Sequence, residues 1–195
     1  MVVLAFLWFL HCVGMGDVEK FSGKYRISSA RYKGWDYGQQ AAYFITICTK
    51  DKAHFFGEVI SSAKGLFVPH MELSEIGQIV AEEWVKTIEL RPDMHLELGE
   101  FVVMPNHFHA ILIIGKSVHN KAWKVAKFEA QSKNLAAIVR GLKGAVTSRA
   151  RMLGYVGFEW HPRYHDHIIR DAKAFERIQR YIFNNPLDWG KDVFL

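Results

Sequence analysis

The stretch "MHLELGEFVVMPNHFHAILIIG", Met94–Gly115, decides the fold. Both halves are rich in β-branched and large apolar residues, and the turn pair Pro105-Asn106 stands between them. This reads as two strands folded back on each other. The second strand carries His107 and His109 where Val, Ile and Leu fill nearly every neighbouring place. Side chains alternate across a strand, so both imidazoles point one way and Phe108 the other. Their α-carbons then lie about 7 Å apart, close enough for two rings to converge on one ion. Phe108 becomes an apolar foot in the core. A bare His-x-His in a strand is more often a partly wet sheet face that binds nothing. The place just after a turn, where a substrate can reach, tilts this pair towards ligation.

Upstream, "AYFITICT" (42–49) is β-branched and aromatic enough for a strand. "FFGEVI" (55–60) and "GLFVPHMEL" (65–73) read as a short hairpin around residues 61–64. Ser74 is a good helix N-cap, and Ile76, Val80, Trp84 and Ile88 follow at helical spacing until Pro92. Downstream, a lysine-rich loop with Trp123 and Phe128 precedes a helix over 134–153. Leu135, Ile138, Leu142, Val146 and Leu153 lie on one of its faces, and Arg140, Lys143, Thr147 and Arg151 on another. "GFEWHPRYHDHII" (157–169) reads as extended, and Asp171 caps a last helix that Pro186 ends. The order matches the β-α-β-β-α-β ferredoxin-like pattern with an added C-terminal helix. The expected architecture is α+β, an antiparallel sheet with helices on one face.

The chain has 195 residues, half of them hydrophobic and 14% aromatic, enough for one domain with a real core and against disorder. Cys12 and Cys48 cannot build a disulfide framework, which fits a reducing, cytoplasmic setting. The formal charge of +5 is unevenly spread. Lys116–Arg151 holds nine Lys or Arg against Glu129 alone, whereas Glu72–Glu100 holds eight acids against Lys86 and Arg91. A basic half beside an acidic half suits a polyanion on one face, and equally a solubilising surface. The opening "MVVLAFLWFLHCV" lacks the basic start of a signal peptide and the roughly 20 apolar residues of a membrane span. Residues 1–23 are therefore expected to be a leader and tail, with the natural start near Met15. Residues 24–195 would form the domain, with no membrane association.

"HPRYHDH" supplies a rival pair, His165 and His167, but the intervening Asp166 gives that strand no buried foot. In "RYIFNNP", Phe175, Ile178 and Ile182 pack the last helix while Tyr181 lies at the stripe's edge. Asn185 follows Tyr181 by four residues, one turn along the same face. A helix can so present a phenol and an amide side by side. On local sequence alone an edge-packing aromatic and a helix end are the plainer reading.

Taken together, "YFITICTKDKAHFFGEV", "GEFVVMPNHFHAILII" and "RYHDHIIRDAKAFERIQRYIFNNP" resemble the single-tyrosine HUH transposases, a family that includes the insertion-sequence-200-like and REP-associated tyrosine transposases. The resemblance runs from about Lys24 to Gly190. It implies a metal-dependent single-stranded DNA endonuclease and strand transferase. His107 and His109 would hold a divalent metal, Mg²⁺ or Mn²⁺, and Tyr181 would attack the phosphodiester. Asn185 stands where well-known branches place a glutamine that completes the metal set. Arg140, Lys143 and Arg151 become candidates for phosphate contacts, and Trp123, Phe128 and Trp160 for stacking on unpaired bases, although core packing suits any one of these rings better. The expected partner is single-stranded or hairpin DNA. In a homodimer Tyr181 would serve its own histidines or a partner's. A ferredoxin-like nucleic-acid-binding protein without catalysis is the alternative.

Overall fold

The computed structural model describes residues 35–61, 68–116 and 133–191. From Asp36 onwards these belong to one compact unit. Residues 1–23, Trp123 and Phe128 lie outside the described residues.

The elements follow the expected order. They are β1 (Ala41–Cys48), β2 (Gly57–Ile60), β3 (His70–Leu73), α1 (Glu75–Lys86), β4 (Leu96–Met104), β5 (His107–Ile114), α2 (Leu135–Met152), β6 (His165–Ile169) and α3 (Ala172–Asn184). A 3₁₀ segment, Asn185–Lys191, extends α3. Four strands form an antiparallel sheet in the order β4-β5-β1-β6, the ferredoxin-like arrangement, and β2-β3 form a separate hairpin. Each helix starts as its sequence dictates. Ser74, Asn134 and Asp171 accept hydrogen bonds from the backbone N–H three residues on, at 3.1, 2.9 and 2.7 Å.

Register fixes the two faces of the sheet. Phe108 pairs with Ile47 and Ala110 with Ile45, an apolar face whose Phe108 ring meets Trp84 of α1 at 5.2 Å. Beside α1 runs α2, tied to it by Arg149, which reaches Glu82 at 2.7 Å and Glu83 at 2.8 Å. On the opposite face His107 pairs with Cys48 and His109 with Thr46, while Thr46 also pairs with His165 on β6. This face is covered by α3. A bulge at Leu98–Phe101 brings Gly99 against β5, where an added Cβ would come within 2.9 Å of Ile111.

Two helical stripes end sooner than their periodicity suggests. Ile88 lies past the end of α1 and is 38% exposed, and Leu153 lies past the end of α2 and is 52% exposed. Ile76, Val80, Trp84, Leu135, Ile138, Leu142 and Val146 are buried as expected. The strand within 157–169 is confined to His165–Ile169, preceded by a single bridge from Trp160 to Thr49.

Candidate active site

The two histidines follow the turn at Pro105-Asn106 and project from β5 to the α3 side, their ring centroids 4.5 Å apart at 65°. Each is oriented through Nδ1. The amide oxygen of Asn106 accepts from His107 Nδ1 at 2.8 Å, and Thr46 Oγ1 lies 2.8 Å from His109 Nδ1. The hydroxyl of Tyr181, carried on α3, lies 3.2 Å from His109 Nε2. The phenol and imidazole of one chain thus meet across 72 residues of sequence. Phe44 seats both rings: it stacks on His109 at 5.2 Å and meets Tyr181 edge-on at 6.1 Å.

Access differs from the expectation of an open strand end. His107 and His109 are 0% and 1% exposed, because α3 and its 3₁₀ extension lie over them. Asn185 and Trp189 complete the cover. Asn185 is buried, and the Trp189 ring sits 6.0 Å from His107, tilted by 30°, and 5.7 Å from His54. Trp189 went unnoticed in the sequence. Its signal is the spacing: it lies one further turn beyond Tyr181 and Asn185.

Burial sets the protonation state. Desolvation lowers His107 to about 3, a drop that Asn185, hydrogen-bonding the protonated ring, only partly opposes. His109 is held well below its ordinary value by burial and then by repulsion from His107 and His165; a backbone hydrogen bond to Ile45 opposes this. Both rings are therefore neutral at neutral pH, the form in which imidazole ligates metals.

Two neutral imidazoles and an amide oxygen could hold a divalent cation. Asn185 Oδ1 is buried and makes no hydrogen bond of ordinary geometry, although its amide stands close enough to His107 to favour the protonated ring. With the His107 proton on Nδ1, the opposite nitrogen carries a lone pair. A lone pair and an amide oxygen brought together under burial suit a cation between them. Among the described residues no three His, Cys, Asp or Glu side chains cluster as a metal site, so His165 does not join the pair. Asn185, outside those four residue types, could supply a third donor, as could Asn184 or a water.

Three basic residues of α2 differ in their surroundings. Arg140 and Arg151 are exposed. Lys143 instead donates to the carbonyls of His161 and Arg163, at 2.7 and 3.1 Å, and lies 5.9 Å from the centre of the Trp160 ring. Burial lowers its pKa to about 8. In this structure Lys143 anchors the segment that leads into β6. Trp160 packs among Phe56 and Phe158 and donates its indole N–H to the Lys143 carbonyl at 3.2 Å. Lys143, Thr147, Ser148 and Arg151 line an open groove along the outer side of α2.

No family model matches the chain. An uncharacterized protein from Haemophilus influenzae is 34% identical over 178 residues, covering 88% of this chain and 94% of that one. Among solved structures, a REP-associated tyrosine transposase bound to a REP hairpin is similar with a TM-score of 0.53. It is 19% identical, and the match covers 86% of this chain and 78% of that chain. No helix among the described residues is long and apolar enough to cross a membrane.

Proposed function

We propose that this chain, which belongs to one family with the Haemophilus influenzae protein and has the fold of the tyrosine transposases, cuts and rejoins single-stranded DNA through a 5′-phosphotyrosine. One observation carries the reading: the Tyr181 hydroxyl reaches His109 of its own chain at 3.2 Å. A phenol at hydrogen-bond distance from paired, neutral imidazoles is placed as a nucleophile beside a cation would need to be, which supports the reading.

His107, His109 and Asn185 would hold the cation. A divalent ion there, Mg²⁺ or Mn²⁺, would polarise the scissile phosphate and stabilise the departing 3′ oxygen. These three donors bring no negative charge, so phosphate oxygens from DNA would complete the set, unlike the closed shell of a structural zinc. The chain's own residues do the rest. Asn106 and Thr46 fix the imidazoles. Tyr181 Oη bonds to phosphorus, the P–O3′ bond breaks, and the phenolic proton is balanced by the one the 3′ oxygen gains. The reverse step rejoins strands without ATP, because the phosphotyrosyl ester keeps the energy of the bond it replaced. Arg140 and Arg151 contact backbone phosphates, which confers salt dependence and little sequence choice. The substrate class is single-stranded DNA beside a hairpin, by analogy with the neighbour solved on a REP hairpin.

The experiment is incubation with hairpin-containing single-stranded DNA and Mg²⁺, followed by denaturing electrophoresis. A covalent protein–DNA adduct that disappears in Tyr181→Phe and with chelator is expected. Hydrolysis that survives Tyr181→Phe, or binding with no adduct, overturns the proposal.

A further inference from the structure

We infer that Tyr181 and the metal ion compete for one lone pair, that of His109 Nε2, so that loading the ion and releasing the nucleophile are a single event. This rests on the metal reading above and adds an order of events to it.

His109 turns Nδ1 towards β1, where Thr46 Oγ1 lies at 2.8 Å and can accept the ring proton. To ligate through Nε2 the neutral ring must carry its proton on Nδ1, which leaves the lone pair on Nε2. The Tyr181 hydroxyl, 3.2 Å from Nε2, is then the donor. An imidazole nitrogen has one in-plane lone pair, which takes one proton or one cation. The position from which His109 would ligate is therefore the position that holds the phenol in this structure.

The consequences follow from exposure. Both imidazoles are buried, whereas Tyr181 is 42% exposed. A phenol displaced from His109 has solvent and DNA to turn to, and the displaced oxygen is the atom that must meet phosphorus. The contact with His109 thus holds the nucleophile against the ligand it must leave.

The test uses DNA-free full-length protein and Mn²⁺, with unbound ion followed by electron paramagnetic resonance. Nitrogen NMR of labelled histidines reports where the ion sits, through paramagnetic broadening. Tyr181→Phe removes the competitor and leaves the ring in place, so it is expected to bind Mn²⁺ about two- to tenfold more tightly than wild type. In the absence of metal its His109 Nε2 resonance should move towards that of an unbonded lone pair. Equal or weaker Mn²⁺ binding by Tyr181→Phe, with His107 and His109 broadened, overturns this inference and leaves the metal site standing. Mn²⁺ that broadens neither histidine overturns the inference and the metal reading together.

Discussion

Asn106 precedes His107 in the chain and also accepts the hydrogen bond from its Nδ1, at 2.8 Å. Its own carbonyl takes the Thr49 N–H at 2.9 Å and the Thr49 hydroxyl at 3.0 Å. One residue therefore closes the hairpin, ties it to the end of β1 and aims an imidazole. Such outer partners of metal-binding histidines typically matter by about 10- to 100-fold in affinity. Asn106→Ala should weaken Mn²⁺ binding by about that factor, and Asn106→Asp, which keeps the acceptor, should restore part of it. Paramagnetic resonance titration measures both.

Asn185→Ala separates ligation from packing. The lost amide oxygen makes no hydrogen bond of ordinary geometry, so the melting temperature should fall only by what emptying a small buried site costs. Metal affinity and adduct formation should fall together, by about tenfold or more. A large drop in melting temperature with unchanged Mn²⁺ binding would make Asn185 a structural residue.

Acid should destabilise the metal-free fold through the histidines. His107 titrates at about 3 when folded, against about 6.5 in an unfolded chain. Between those values the unfolded state binds the extra proton, so stability rises with pH and is lost as pH falls below about 6.5. At pH 5 His107 alone should lower stability by about 2 kcal/mol relative to pH 8. His109 shifts in the same direction. Thermal melts in chelator should show a steep decline from pH 7 to 4, and His107→Gln should flatten it.

Arg140→Ala and Arg151→Ala should each weaken single-stranded DNA binding similarly across sequences. Each should also reduce the slope of log affinity against log salt by about 0.7, one phosphate contact. Lys143→Met should behave differently. Its ammonium donates to the carbonyls of His161 and Arg163, so the substitution should lower the melting temperature and leave most of the salt slope intact. Fluorescence anisotropy at several salt concentrations distinguishes the two behaviours.

Much of the fold was legible because local signals agreed. The two strands of Leu96–Ile114 around Pro105-Asn106, the caps at Ser74 and Asp171 and the stripe through Ile138, Leu142 and Val146 all reappear in the structure. Periodicity misled where it outran the helix, at Ile88 and Leu153, because a stripe does not announce its own cap. The site was less legible. Alternation placed His107 and His109 on one face, but their burial depends on where α3 crosses, a tertiary fact with no local trace. The same holds for the Lys143 contacts and for Trp189 beside His107. Tyr181 read locally as an edge aromatic; only its likeness to the HUH pattern pointed it at the histidines.

A site that draws its phenol and its imidazole from a single polypeptide would, on the proposed reading, cut without help from a second copy. Its cutting rate should then scale in simple proportion to protein concentration down to high dilution. Two defective forms, one lacking Tyr181 and the other His109, should not complement each other when mixed. In a cell carrying many copies of the gene, each copy would stand or fall by its own sequence.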